Sequence, residues 1–121
     1  MDNLTEGNLT IEVGGGSSEP IVCVWKGRSG DRNPGLVLGP YFQTLVDQAA
    51  VDNVPLEMHF DKLEHFNSST ITALIKLIQT ARGKGICLVM AYDQNLKWQK
   101  LSFDALRVFE KSDKMFQLRP V

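Results

Sequence analysis

The sequence predicts an α/β domain with a mostly parallel mixed sheet and the element order β-β-α-β-α-β-α-β. Two observations predict it. From Pro20 onward, β-rich apolar runs alternate with segments of helical period, and that alternation implies parallel strands joined by right-handed helical crossovers. The chain has 121 residues, 43% of them apolar and 22% charged, which suits one globular core and is too short for two. No internal repeat or linker divides it, so residues 1–121 are read as one domain.

Residues 1–7 are polar and read as a loose start. Leu9 to Val13 alternates apolar and polar side chains, the pattern of a half-buried strand. Gly14 to Ser18 breaks the pattern as a flexible turn. No Gly-Lys-Ser/Thr follows those glycines, and they lead into a strand, so they make no phosphate loop. Pro20 to Lys26 (PIVCVWK) is a continuous apolar run, expected as a strand buried on both faces. Gly27 to Gly35 is dense in Gly, Asn, Asp and Pro and reads as a loop. Leu36 to Ala50 reads as a helix with Leu38, Phe42, Leu45, Val46 and Ala49 inward. Pro40 restricts where that helix begins, and Asp52-Asn53 closes it. Val54 to Phe60 sets Leu56, Met58 and Phe60 against Glu57 and His59, which gives a strand with one apolar face.

Ser68 to Arg82 has the clearest helical period. Ile71, Leu74, Ile75, Ile78 and Ala81 share one side, with Thr72, Lys76 and Gln79 opposite. Gly83 and Gly85 bracket its end. Gly85 to Tyr92 is a second fully apolar strand. Leu96 to Glu110 reads as a third helix with Trp98, Leu101, Ala105 and Val108 or Phe109 inward, and Lys97, Lys100 and Arg107 solvated. Met115 to Leu118 is a short last strand.

Composition excludes several functions. There are 13 Lys plus Arg against 14 Asp plus Glu, and a net charge of -1 gives no basic surface for nucleic acid. No apolar run is long enough for a membrane span, and no secretory leader is visible, so the cytoplasm is expected. Without a leader, the glycosylation patterns at Asn3, Asn8 and Asn67 are accidental. Cys23 and Cys87 sit in apolar runs without Cys-x-x-Cys spacing and read as reduced core thiols. His59 and His65 have no spaced Cys or His partner, so no metal and no other cofactor is expected. No nucleophile elbow, P-loop or dinucleotide glycine set is present, and no catalytic residue is assigned. An enzyme assembled from Glu57, Asp61, Glu64 and His65 is the least favoured alternative, because those groups read as a solvated strand end.

The segment Phe66-Asn67-Ser68-Ser69-Thr70-Ile71 stands out. One Asn, Ser or Thr suffices to cap a helix. Three hydroxyls in a row at the exposed start of the best helix also make a place for an anion or a phosphoryl group, where free amides and the helix dipole favour negative charge.

The run from Leu56 to Tyr92, LEMHFDKLEHFNSSTITALIKLIQTARGKGICLVMAY, resembles the core of a STAS domain, the fold of bacterial anti-sigma factor antagonists. There, a strand leads to an Asp-Ser-Ser-Gly or Asp-Ser-Thr-Gly signature, an amphipathic helix, a glycine and an apolar strand. The resemblance implies a single STAS-like domain that is no enzyme. It implies phosphorylation of Ser68 by a GHKL-type serine kinase acting as anti-sigma factor, with Ser69 second and Thr70 third in preference. A metal-dependent serine phosphatase would reset the switch. Asn67, Ser68, Ser69, Glu64 and Thr72 are the expected partner contacts. Asn67 stands in place of the family's Asp and Thr70 in place of its Gly. An Asn followed by hydroxyls is similar instead to a divergent branch, the SiaC-like regulatory phosphoproteins, whose partner is a diguanylate cyclase. The alternative reading is a STAS-like sensor of a small ligand or nucleotide, in which Arg28 and Arg32 of the Gly27–Gly35 loop bind an anion beside the Ser68 helix end.

Overall fold

A computed structural model describes residues 2–121. The described residues form one seven-stranded sheet with three helices. The elements are β1 (Leu4–Glu6), β2 (Leu9–Gly16), β3 (Glu19–Ser29), α1 (Gly35–Asp52), β4 (Leu56–His59), β5 (Leu63–Phe66), α2 (Ser68–Gly83), β6 (Leu88–Tyr92), α3 (Lys97–Ala105) and β7 (Phe116–Pro120), with a 3-10 turn at Leu106–Phe109 after α3. The sheet runs β1-β2-β3-β4-β6-β7, and β5 also pairs with β3. The first two pairings are antiparallel, and those of β3 with β4 and β5, β4 with β6 and β6 with β7 are parallel. Helices bridge the parallel neighbours, as the alternation from Pro20 predicted.

Two strands were not anticipated. Leu4–Glu6 pairs with Leu9–Ile11, so the polar start is a short edge strand rather than a loose segment. Leu63–Phe66 has both middle residues exposed and both ends buried, a pattern that lacks the period of two. The glycine stretch also differs from expectation. β2 continues to Gly16, and the turn is Ser17-Ser18, where the Ser17 amide donates to the Asp52 carboxylate at 2.8 Å.

Every second residue of the central strands faces the helices. Ile21, Cys23, Trp25, Leu56, Met58, Leu88, Met90, Phe116 and Leu118 are all buried on that face. The opposite face carries Glu12, Val24, Lys26, Glu57, His59 and Arg119, all at least partly exposed. The apolar run Pro20–Lys26 is therefore buried on one face only, with Val22 and Val24 half-buried. β6 is buried at all five positions. Its Val89 and Ala91 are short, and they lie in register between Glu57 and Gln117 and between His59 and Arg119, whose longer side chains flank them.

α1 buries the five residues expected of it, and Asn53 closes it in the left-handed conformation, its amide bonded to the carbonyls of Ala49 and Ala50. α2 buries Leu74, Ile78 and Ala81 as expected, together with Thr70, Ala73 and Leu77, while Ile71 and Ile75 are half-buried. α3 is turned from its expected phase. Gln99, Phe103 and Leu106 are inside, Trp98 is half-buried, and Leu101 and Val108 are 64% and 77% exposed. The helix ends at Ala105, and the tighter winding that follows moves the later residues to other directions. No helix is long and apolar enough to cross a membrane among the described residues.

Candidate functional site

Two strand ends build the site. β3 pairs with β4 along Ile21–Val24, then with β5 along Gly27–Ser29, so β5 delivers Phe66 and Asn67 beside Ser29. A register shift at Gly27 makes this possible. Gly27 has φ +84°, and a Cβ there would lie 2.0 Å from the Asn8 carbonyl oxygen, so only glycine fits.

Asn67 then caps α2. Its Oδ1 accepts from the Thr70 amide at 2.9 Å and from the Thr70 hydroxyl at 2.8 Å. Its Nδ2 donates to the Asp31 carbonyl at 2.8 Å, and its backbone amide donates to the Ser29 carbonyl at 3.1 Å. The hydroxyls of Ser29 and Thr70 are 2.8 Å apart, in a position that is 3% and 0% exposed respectively. This buried knot ties the Ser29–Asp31 loop to the first turn of α2. It also gives a physical reason for Asn over Asp at position 67, because a carboxylate has no proton to offer the Asp31 carbonyl.

The knot sorts the three hydroxyls. Thr70 is wholly buried with its hydroxyl engaged, which removes it as a phosphorylation candidate in the folded chain. Ser68 is exposed and Ser69 is half-buried. The amides of Thr70 and Ile71 go to Asn67, which leaves those of Ser68 and Ser69 as the free donors of the first turn. Thr72 is exposed and its hydroxyl donates to the Ser68 carbonyl at 3.3 Å. Glu64 is exposed on β5 and bonds to none of these groups among the described residues.

Ser69 and Thr72 open onto a groove of about 550 Å³ between α1 and α2, which Arg32, Leu36, Phe42, Lys76 and Leu77 also line. Arg28 lines a separate cleft of about 290 Å³ with Glu6, Asn8 and Asp31. β3 runs on to Ser29, so the expected Gly27–Gly35 loop is confined to residues 30–34 and Arg28 belongs to the strand. Arg28 and Arg32 open onto different depressions, which weakens their reading as one anion site.

Of Glu57, Asp61, Glu64 and His65, the residues of the alternative enzyme site, Glu57 is set apart from Glu64 and His65. Glu57 lies on the open sheet face, 3.0 Å from His59 and 3.3 Å from Arg119. It pairs with β3 at Val22, whereas Leu63 of β5 pairs at Gly27, five residues and roughly 17 Å further along. No group of three or more His, Cys, Asp or Glu able to hold a metal occurs among the described residues. Cys23 and Cys87 are free, and burial pushes the Cys23 thiol up to about 12.

Two side chains support the site, of which the helical period marked Trp98 as inward and gave no sign of Gln99. Gln99 is fully buried. Its Nε2 donates to the carbonyls of Phe60 at 2.7 Å and Leu63 at 3.1 Å, and its Oε1 accepts from the Asp93 amide at 2.8 Å. It thus clamps the turn that aims β5. Trp98 stands edge-on to Phe66 with ring centres 5.2 Å apart, beside the residue that precedes Asn67. The hydroxyl run itself pointed to neither.

The whole path of the chain has counterparts in solved structures. An anti-sigma factor antagonist from Mycobacterium paratuberculosis superposes with a TM-score of 0.59 at 17% identity, over 98% of this chain and 92% of that one. The chain has a STAS-like fold. Apo-SiaC from Pseudomonas aeruginosa superposes with a TM-score of 0.55 at 20% identity, over 98% of this chain and 99% of that one. No protein-family model and no curated protein sequence matches the chain. At these identities the likeness is one of fold, and it covers both resemblances that Asn67-Ser68-Ser69 suggested.

Proposed function

We propose that this chain is a non-catalytic regulatory module. It binds a partner protein through the surface around the start of α2 and releases it when Ser68 is phosphorylated. The observation that carries this reading is the geometry of Ser68 itself. It is an exposed serine at the first position of a helix whose start is fixed by a buried hydrogen-bonded knot. The STAS-like fold, shared with an anti-sigma factor antagonist and with SiaC, supports the regulatory reading. The partner in this reading is a GHKL-type serine kinase acting as anti-sigma factor, or a diguanylate cyclase. A metal-dependent serine phosphatase restores the hydroxyl.

The fold tolerates the modification for a physical reason. A phosphoserine carries about two negative charges at neutral pH. The free amides of Ser68 and Ser69 and the positive end of the helix dipole face that charge. The partner has no such compensation. Docked against a neutral hydroxyl, it has to desolvate a dianion once Ser68 is modified, and the complex weakens.

The test uses Ser68→Ala, Ser68→Asp and Ser68→Glu in pull-downs from the native organism, beside melting curves. All three variants stay folded. The Ala form retains the partner constitutively, and the Asp and Glu forms lose it. Equal recovery by all three leaves Ser68 an ordinary helix residue and sinks the switch.

A further inference from the structure

The groove between α1 and α2 has a charge character of its own. No Asp or Glu is among the residues that line it, while Arg32 and Lys76 do. Both are exposed, and neither pairs with a carboxylate among the described residues. Leu36 stands at the mouth, 78% exposed, above a floor that includes buried Phe42 and Leu77. Along α2, lining residues recur from Ser69 to Thr80 at helical spacing, so the trough follows about three turns, roughly 16 Å. Above Gly39 of α1 nothing lies within 4 Å of where a Cβ would sit, and the trough is open there.

We propose that this groove docks an acidic amphipathic helix of the partner protein, an inference that rests on reading the α2 start as the partner-binding surface. Such a segment supplies what the groove lacks. Its carboxylates meet Arg32 and Lys76, and its apolar side chains cover Leu36 and the floor. The other exposed apolar stripe, Leu101, Ala105 and Val108, does not select a charge in this way. Lys97, Lys100, Asp104, Arg107 and Glu110 flank it with both signs. The groove also explains how a phosphate would act at a distance from the apolar contacts. Ser69 lines one end of it, and a dianion on the adjacent Ser68 turns local attraction for an acidic helix into repulsion.

The probe is a fluorescein-labelled synthetic helix of about 16 residues, roughly 24 Å, which spans the trough with under one turn to spare at each end, with Leu at every third or fourth position and Glu elsewhere. Its twin carries Lys in place of Glu. Both are titrated against the full chain by fluorescence polarisation and amide chemical shifts. The acidic peptide binds at least about tenfold tighter than its twin and weakens with added salt. Its shifts centre on Leu36, Gly39, Ser69 and Lys76. Lys76→Glu lowers its affinity about tenfold with an unchanged melting temperature, and Gly39→Trp fills the trough and blocks it. Equal binding of the two peptides, shifts centred on Leu101 and Val108, or full binding by Lys76→Glu overturns the proposal. Shifts at the groove with pyrophosphate and none with the acidic peptide assign it to a small anion and overturn it as well. The native partner separates this inference from the switch. Loss of the partner by Ser68→Glu with retention by Lys76→Glu removes the groove and leaves the switch standing.

Discussion

The starts of α2 and α3 are held by opposite means. α2 begins with a side-chain cap, Asn67, joined to two buried hydroxyls from separate elements. α3 begins at Leu96 with no side-chain cap, and its anchor is Gln99, three residues inside and fully buried. In α2 the polar residues hold the end and apolar residues fill the core side. In α3 a polar residue is on the core side and an apolar stripe of Leu101, Ala105 and Val108 faces out. A cap fixes where a helix starts, and an internal clamp fixes what the helix is pressed against. The α2 arrangement leaves its outermost serine free for another molecule, whereas α3 spends its polar group on the turn that aims β5.

The largest expected effect comes from truncating the two helices at their apolar residues. Leu74→Ala in α2 should destabilise by about 2–5 kcal/mol, because Leu74 is wholly buried. Leu101→Ala in α3 should change stability by no more than about 0.5 kcal/mol, since Leu101 stands in solvent. Urea denaturation of both variants measures the contrast, and comparable losses would mean the α3 phase is wrong. The next effect comes from the polar anchors. Gln99→Leu removes one donor from each of the carbonyls of Phe60 and Leu63, the first keeping the Leu63 amide, and leaves the Asp93 amide without its acceptor, while Thr70→Val takes from the Ser29 hydroxyl its side-chain partner. Each should cost about 1–3 kcal/mol, with Gln99→Leu the larger. Hydrogen exchange should locate the damage, at the Phe60–Leu63 turn for Gln99→Leu and at Asp31 and Ser68 for Thr70→Val. The same pattern from both variants would erase the distinction between clamp and cap.

The smallest effect is set by pH. The Lys100 bond, then that of Arg107, holds the Asp104 carboxyl of α3 below its ordinary value. A group depressed on folding contributes stability above its unfolded pKa and loses it as pH falls. Acidification below about pH 4 should therefore speed amide exchange in α3, measured relative to the intrinsic rate at the same pH, while leaving the first turn of α2, which carries no acidic residue, unchanged on that scale. Equal acceleration in both helices would show that the α3 ion pairs contribute nothing of their own.

Legibility in the sequence follows how local each cause is. The α1 face and the α2 cap could be read because they depend on residues within a few positions of each other. Ser29 could not, since it joins Thr70 across 41 positions, and nothing in the Gly-, Asp- and Asn-rich run around the end of β3 marks its buried hydroxyl. β5 escaped because its Glu64 and His65 are both exposed, so no alternation appears in LEHF. The α3 phase failed because apolar residues were assumed to face inward. Gln99 reverses that assumption, and its three partners are Phe60 just after β4, Leu63 at the start of β5 and Asp93 just after β6. The alternative enzyme site of Glu57, Asp61, Glu64 and His65 joined residues near in sequence, but the jog between β4 and β5 carries Glu57 and Glu64 far apart along β3.

The two borders of the sheet constrain how copies of this protein meet. β1 is only three residues long, and β7 ends at Pro120, whose ring nitrogen has no proton to donate. Exposed Gln117 and Arg119 sit along that second border. A short rim on one side, and a charged, proline-ended rim on the other, give an incoming extended segment little backbone to pair with. These two strands thereby resist growth edge to edge into fibrils or stacked ribbons, and contact with other proteins is turned toward the two faces of the sheet layer and the loops.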